Sequence, residues 1–171
     1  MTNPQATPDP HAAARAVRTL ALAVVSAPAL ILVALLLVLP TSFDDAPSTP
    51  VALGLVGLVL LGVLAAEVLG FRAAPLSATE HADHDAARSA AFGRYQALMF
   101  VRVALTELPV LAGVAFSFAL EAGAWPALVT IVLGVPAMAF EVWPSRRNVG
   151  RVAARLEAGG VRSGLDDAFS G

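Results

Sequence analysis

Four long apolar stretches, separated by short polar segments, dominate the pattern of hydrophobic and polar positions along the chain. They extend over residues 17–39, 50–69, 96–120 and 125–142. A helix needs about 20 residues to cross a hydrocarbon core of about 30 Å, and all four stretches are near this length or beyond it. Because unpaired backbone groups are costly in lipid, each stretch is predicted to be a helix. The pattern therefore predicts an all-α integral membrane bundle of four transmembrane helices.

The polar segments divide the chain further. Residues 1–14 contain several prolines and no apolar periodicity, which predicts a disordered cytoplasmic tail. Residues 15–143 form the predicted transmembrane domain, with a cytoplasmic loop at residues 70–95. In that loop, residues 77–80 match a capping box, so a helix should start there and continue into the third span. Residues 144–171 are predicted to form a basic amphipathic cytoplasmic segment and a tail.

The basic residues are distributed unevenly, and all 11 of them are arginines. Apart from Arg102, which lies within the third span, they precede or begin the first span, occupy the loop after the second, or follow the fourth. The other two loops contain acidic residues and no basic ones. The positive-inside rule therefore predicts that both termini are cytoplasmic. The first apolar run is longer than a signal-peptide core, so we expect it to be retained as a span.

The amino-acid composition mainly excludes classes of protein and of chemistry. The 171 residues are 57% hydrophobic and only 14% charged, against roughly 25% charged in soluble domains. Cysteine is absent, which excludes disulfides and thiol chemistry. The chain contains no phosphate-binding glycine loop and no hydrolase or zinc-protease motif, and no basic folded patch for nucleic acid, so we expect no cofactor and no nucleic-acid partner. The arginine-only, alanine-rich usage is typical of GC-rich bacterial genes, which indicates a bacterial inner membrane.

A carboxylate, Glu107, lies near the middle of the third span. A charge at this depth is costly, so the group should be protonated, paired or bound to a cation. Pro109 lacks an N–H and frees the carbonyl of Leu105. Together with the Thr106 hydroxyl, these oxygens are a candidate site for a proton or a small cation. Arg102 lies five residues earlier, outside the (i, i+4) geometry of a helix pair, and we expect it to snorkel towards the inner interface.

The run from Arg102 to Gly113, with Glu107 followed by Pro109, resembles the ion-binding helix of the ATP synthase c subunit. In that family an essential Glu or Asp in an Ala/Leu-rich helix binds the transported proton or sodium ion. The resemblance implies that Glu107 corresponds to the carrier carboxylate. The preceding span is loosely similar to the family's glycine-rich first helix through Gly54, Gly57 and Gly62. The family's short polar loop has no counterpart here, and two further spans are present.

Prolines and small residues recur within the spans. Three prolines predict breaks or kinks in their helices: Pro28, Pro109 and Pro136. Four glycines are candidates for close helix packing: Gly54, Gly57, Gly62 and Gly113. Such surfaces favour a tight bundle or a homo-oligomer.

Two more carboxylates, Glu67 and Glu141, stand at the inner ends of the second and fourth spans. An arginine follows each of them, and we expect Glu67 to pair with Arg72 and Glu141 with Arg146 in reach of water. A Leu-Gly-Val motif precedes each carboxylate at a similar distance. This similarity hints at a parallel repeat that relates the first two spans to the last two.

Aromatic and basic residues mark the predicted interfaces. Trp125 and Trp143 bracket the fourth span, and Tyr95 lies at the inner end of the third, so all three are predicted interfacial anchors. After the fourth span, arginine recurs at every fourth residue and predicts one basic helix face: Arg147, Arg151 and Arg155. Apolar residues gather on another face, and two glycines at 159–160 should end the helix. The basic face either attracts anionic inner-leaflet lipids or is solvated and fixes only the topology.

Five residues of the loop have the side chains of metal ligands: Glu80, His81, Asp83, His84 and Asp85. Zinc sites need three or four converging ligands, and these residues belong to the polar first turns of a predicted helix, so we expect no metal. An enzyme ranks third among the functions, because only this loop offers polar groups near an interface. The favoured role is a non-enzymatic membrane protein that packs with copies of itself or with a larger complex. The alternative is a component of a proton or cation carrier that uses Glu107.

Overall fold

The computed structural model describes residues 10–39, 41–42, 46–77, 84–120 and 122–170, and every regular element among them is a helix. Four helices are long and apolar enough to cross a membrane: α1 (Pro10–Val38), α2 (Thr49–Leu69), α3 (His84–Ala119) and α4 (Trp125–Val142). Shorter elements follow: α5 (Arg146–Leu156), a 3-10 turn (Glu157–Gly159) and α6 (Leu165–Phe169). The prediction of an all-α fold with four candidate spans is confirmed.

The two long helices α1 and α3 begin well before the apolar stretches that predict them. α3 has 36 residues, so its first 12 residues belong to the predicted loop and the remainder to the predicted span. The predicted capping box is only partly visible, because residues 78–83 lie outside the described part of the chain. The three prolines within the spans lie inside helices that continue past them, so none of them ends a helix.

The chain forms two compact units. The span unit consists of Ala21–Gly70 and Met99–Trp143, and it holds most of the apolar length of all four spans. The terminal unit consists of Met1–Leu20, Phe71–Leu98 and Pro144–Gly171, and it holds the polar ends of the long helices together with α5 and α6.

The core of the span unit is built from three helices. Leu35 of α1 packs with Val110 of α3 and with Ala127 and Ile131 of α4, and partly buried leucines and valines surround this cluster. Helix α2 packs against α4. Since lipid is as apolar as these side chains, close van der Waals packing and interhelical hydrogen bonds hold the helices together.

Glycines permit close approach at two of the predicted packing positions. A Cβ atom on Gly62 would come within 2.7 Å of the Leu105 carbonyl oxygen, and one on Gly113 within 2.8 Å of the Pro126 carbonyl oxygen. Gly54 and Gly57 behave differently, because a Cβ atom on either would meet no atom within 4 Å. Of the four predicted packing glycines, Gly62 and Gly113 therefore allow close packing within the chain, and Gly54 and Gly57 do not contribute to it.

The terminal unit is organised by α5. Its apolar face, which contains Val149, Val152 and Leu156, is fully buried, so this helix is amphipathic. Gly160 adopts a left-handed conformation with φ of 85° directly after the 3-10 turn, as expected of a residue that ends a helix. The guanidinium of Arg151 lies over the Phe71 ring at 3.8 Å from its centroid.

Candidate functional site

The Glu107 carboxylate lies on the outward flank of α3. Glu107 is partly buried, and its neighbour Leu108 is 62% exposed. Its carboxylate forms no hydrogen bond or ion pair with another residue that the structure describes. The predicted mid-span carboxylate is therefore neither fully buried nor bonded to another described residue.

The other oxygens of the predicted ion site point elsewhere. The Thr106 side chain is buried, and its hydroxyl donates to the carbonyl oxygen of Arg102 at 2.8 Å, one turn earlier in the same helix. The Leu105 carbonyl, which Pro109 frees, faces α2 at Gly62. Because these groups do not converge with the carboxylate, the structure brings no multidentate cation site together around Glu107.

Arg102 does not snorkel, and that expectation is wrong. It is the largest fully buried side chain among the described residues. Its aliphatic stem packs where a Cβ atom of Gly70 would stand, and its Nη1 donates a long hydrogen bond of 3.5 Å to the Gly70 carbonyl oxygen. Gly70 has no side chain to block this approach, so the arginine lies inside the span unit at the C-terminal end of α2.

The packing register places Glu141 at the same level as Arg102. A Cβ atom on Gly134 of α4 would contact Val110 of α3, and these two helices run antiparallel. Arg102 precedes Val110 by eight residues, and Glu141 follows Gly134 by seven. At a rise of about 1.5 Å per residue, the two charged residues lie within about one residue of the same height.

Glu67 lies near the height of Arg102 as well, because it precedes Gly70, which Arg102 contacts, by less than one helical turn. Glu141 is fully buried and Glu67 partly buried, whereas Arg72 and Arg146 are exposed. The expectation that Glu141 reaches water is therefore wrong. The two glycines of the Leu-Gly-Val motifs, Gly62 and Gly134, both pack against α3.

The predicted interfacial aromatic residues have different surroundings. Trp143 is exposed, and the indole N–H of Trp125 donates to the Ser42 carbonyl oxygen at 2.8 Å. Tyr95 is fully buried in the terminal unit, where its ring lies 5.3 Å from that of Phe169. A residue without exposed surface cannot anchor the chain in an interface, so the prediction for Tyr95 is wrong.

Basic side chains after the fourth span are only partly available to lipid. Arg151 and Arg147 both lie over the Phe71 ring, with Arg151 partly buried and Arg147 exposed, and Arg155 is exposed as well. The polar loop around His81 lies outside the described residues except for His84 and Asp85, and both of these are exposed. Phe71 and Phe169, which organise these contacts, are missed by the sequence analysis, although both are rare aromatic residues outside the apolar stretches.

No protein-family model, no curated protein and no solved structure matches this chain. The class of the protein therefore follows from its own helices, and it is that of a multi-pass membrane protein. Within that class, two features of the span unit are chemically distinctive. One is the partly buried carboxylate Glu107 in the third span, and the other is the buried arginine Arg102 at the height of two further carboxylates.

Proposed function

We propose that this chain is a non-enzymatic protein of the bacterial inner membrane, with both termini in the cytoplasm, that forms homo-oligomers. The placement of arginine on alternate loops supports the orientation. The observation that carries the oligomer is Glu107, a carboxylate on the outward flank of an otherwise apolar helix face. Hydrocarbon solvates such a group poorly, so a partner that offers hydrogen bonds would stabilise it.

A second copy of the chain fits this requirement. Around Glu107, the outward face of α3 exposes large apolar side chains that could pack against the same face of another molecule: Val101, Leu108, Leu111 and Phe118. In a two-fold arrangement, the Glu107 side chains of two copies would meet, and a pair of carboxyl groups that shares a proton satisfies both. Association would then remove the free-energy cost of exposing the Glu107 carboxyl group to lipid. The alternative partner for this face is a larger membrane complex.

Cysteine crosslinking tests this arrangement directly, because the natural chain contains no cysteine. Leu108→Cys, beside Glu107, should form disulfide-linked dimers in native membranes under mild oxidation. Leu64→Cys is the matched control, since Leu64 of α2 is also 62% exposed but lies on another helix. We expect the dimer fraction for Leu108→Cys to exceed that for Leu64→Cys at least fivefold. Monomers alone, or equal crosslinking of both variants, would contradict the proposal.

A second candidate function is proton transfer through Glu107, as in the carrier alternative. Two observations favour it: Glu107 is only partly buried, and its carboxylate forms no bond with another described residue. Because the Thr106 hydroxyl and the Leu105 carbonyl are directed elsewhere, a proton suits this site better than a sodium ion.

For the carrier alternative, purified protein in liposomes should conduct protons, as a trapped pH-sensitive dye reports, and Glu107→Gln should abolish this flux. An apolar carbodiimide should label Glu107 without protection by sodium, and the same reagent should leave the Gln variant unlabelled. Undiminished flux in Glu107→Gln, or no flux in the natural protein, would exclude the carrier role. Crosslinking of Leu108→Cys would still support the homo-oligomer, whatever the result of the flux measurement.

A further inference from the structure

The terminal unit contains a cavity of about 540 Å³, within the size range of small-molecule sites. Its lining combines apolar surface with both signs of charge, from Pro144, Val149, Phe169, Arg18, Arg146 and Asp166. None of these residues belongs to the Glu107 surface, so the cavity is a separate candidate site.

One positive charge of the cavity is held in place by its neighbours. The Nη2 of Arg18 donates to the carbonyl oxygen of Phe169 at 2.7 Å, and its guanidinium carbon lies 6.0 Å from the centre of the Phe169 ring. That ring is itself held against Phe92, at 5.9 Å between centroids, and against Tyr95. A guanidinium fixed in this way loses little side-chain entropy when it binds an anion.

The other two charges line the same cavity without neutralising each other. Arg146 is the first residue of α5, and Asp166 lies in the first turn of α6. Both side chains are exposed, and neither forms a hydrogen bond or an ion pair with another residue in the described ranges. The cavity therefore offers an anion-binding group and a cation-binding group at separate positions on its wall.

Two segments that line the cavity lie close in sequence to the ends of predicted spans. Pro144 and Arg146 follow within four residues of Val142, where α4 ends, and Arg18 lies at the start of the apolar stretch of α1. The exposed Trp143 lies at the same junction, as tryptophan commonly does at the boundary between hydrocarbon and water. A molecule that enters this cavity is therefore expected to come from the membrane surface.

We propose that the cavity binds the headgroup of a phosphoethanolamine lipid. The phosphate accepts hydrogen bonds from Arg18 and Arg146, and the primary ammonium donates to Asp166. A phosphocholine headgroup has no N–H to donate to Asp166, and a phosphoglycerol headgroup has no positive charge for it. The site would thus discriminate among phospholipids by the group beyond the phosphate. This inference depends on membrane residence but not on the Glu107 surface.

Native mass spectrometry of the full-length protein in detergent, supplied with equal amounts of phosphatidylethanolamine, phosphatidylcholine and phosphatidylglycerol, tests the site. We expect the phosphatidylethanolamine adduct to dominate. Arg146→Gln should reduce it about tenfold, the lower limit for losing a charged hydrogen bond. Arg155→Gln is the matched control, because Arg155 is an exposed arginine of the same helix outside this cavity. Equal adducts in the two variants, or no preference among the lipids, would overturn the proposal.

A second variant and a soluble competitor separate the parts of the headgroup. Asp166→Asn should abolish the preference for phosphatidylethanolamine over phosphatidylcholine while phospholipid binding persists. If Asp166→Asn leaves the preference intact, the ammonium is not recognised there and the assignment fails. Inorganic phosphate at the same concentration as the lipid should not displace it. Displacement would show that the ligand is a soluble phosphate compound and would refute a lipid site.

Discussion

Arg102→Met should lower the free energy of unfolding by about 3–5 kcal/mol, the usual cost of removing one partner from a buried ion pair. Arg102 and Glu141 are both fully buried, and the packing of α3 against α4 puts them at one level. Without the guanidinium, a negative charge on Glu141 would remain in surroundings of low dielectric constant, where an uncompensated charge is costly. Titration with SDS in mixed micelles measures this loss for the purified protein.

A double-mutant cycle tests whether Arg102 interacts with Glu141 in particular. Methionine is apolar and unbranched like the arginine stem, so Arg102→Met/Glu141→Gln should be more stable than Arg102→Met alone, with a coupling energy above about 1 kcal/mol. The control cycle uses Glu107→Gln, because Glu107 belongs to the same helix but lies on its outward flank. That cycle should be additive within about 0.5 kcal/mol. If the Glu141 cycle is equally additive, Arg102 is stabilised by other groups and the register argument fails.

The spans could be predicted because length and apolar composition nearly decide whether a segment crosses a membrane. The fourth span agrees with α4 at both ends, and the second agrees with α2 within one residue. α1 begins before its predicted span, and α3 includes part of the predicted loop, where the sequence predicts a helix that continues into the third span. A helix can continue into a polar segment in this way once other residues pack against it. Ala87 and Ala91 of α3, both fully buried, show this packing beyond the apolar stretch.

Side-chain surroundings were harder to predict, because they depend on which faces of different helices meet. Arg102 and Glu107 share one helix, yet one is fully buried and the other lies on the outward flank. Gly70, directly after α2, leaves room for the arginine. A sequence records that Gly70 is small but not which helix it faces. For the same reason, Gly57 and Gly62 look alike in the sequence, although only Gly62 packs against α3.

Gly113→Val should be the most destabilising of the glycine substitutions in the span unit, by about 3 kcal/mol. The first added carbon would collide with the Thr130 side chain and stand 2.8 Å from the Pro126 carbonyl oxygen. Thr130 has little freedom to withdraw, because it is fully buried and its hydroxyl donates to the Pro126 carbonyl at 3.0 Å. Helices α3 and α4 would therefore have to separate, which also loosens the Val110 and Ile131 cluster.

Gly57→Val is the matched control, since it adds the same side chain to a glycine within a span but into open space. Unfolding in mixed micelles should differ from that of the natural protein by no more than about 0.5 kcal/mol. Gly113→Ala should fall between the two, because its single added carbon meets the same atoms while alanine favours the helix by about 1 kcal/mol over glycine. Equal stability of the two valine variants would mean that α3 and α4 do not approach each other closely at Gly113. The α3–α4 register would then be wrong there, and with it the placement of Glu141 at the height of Arg102.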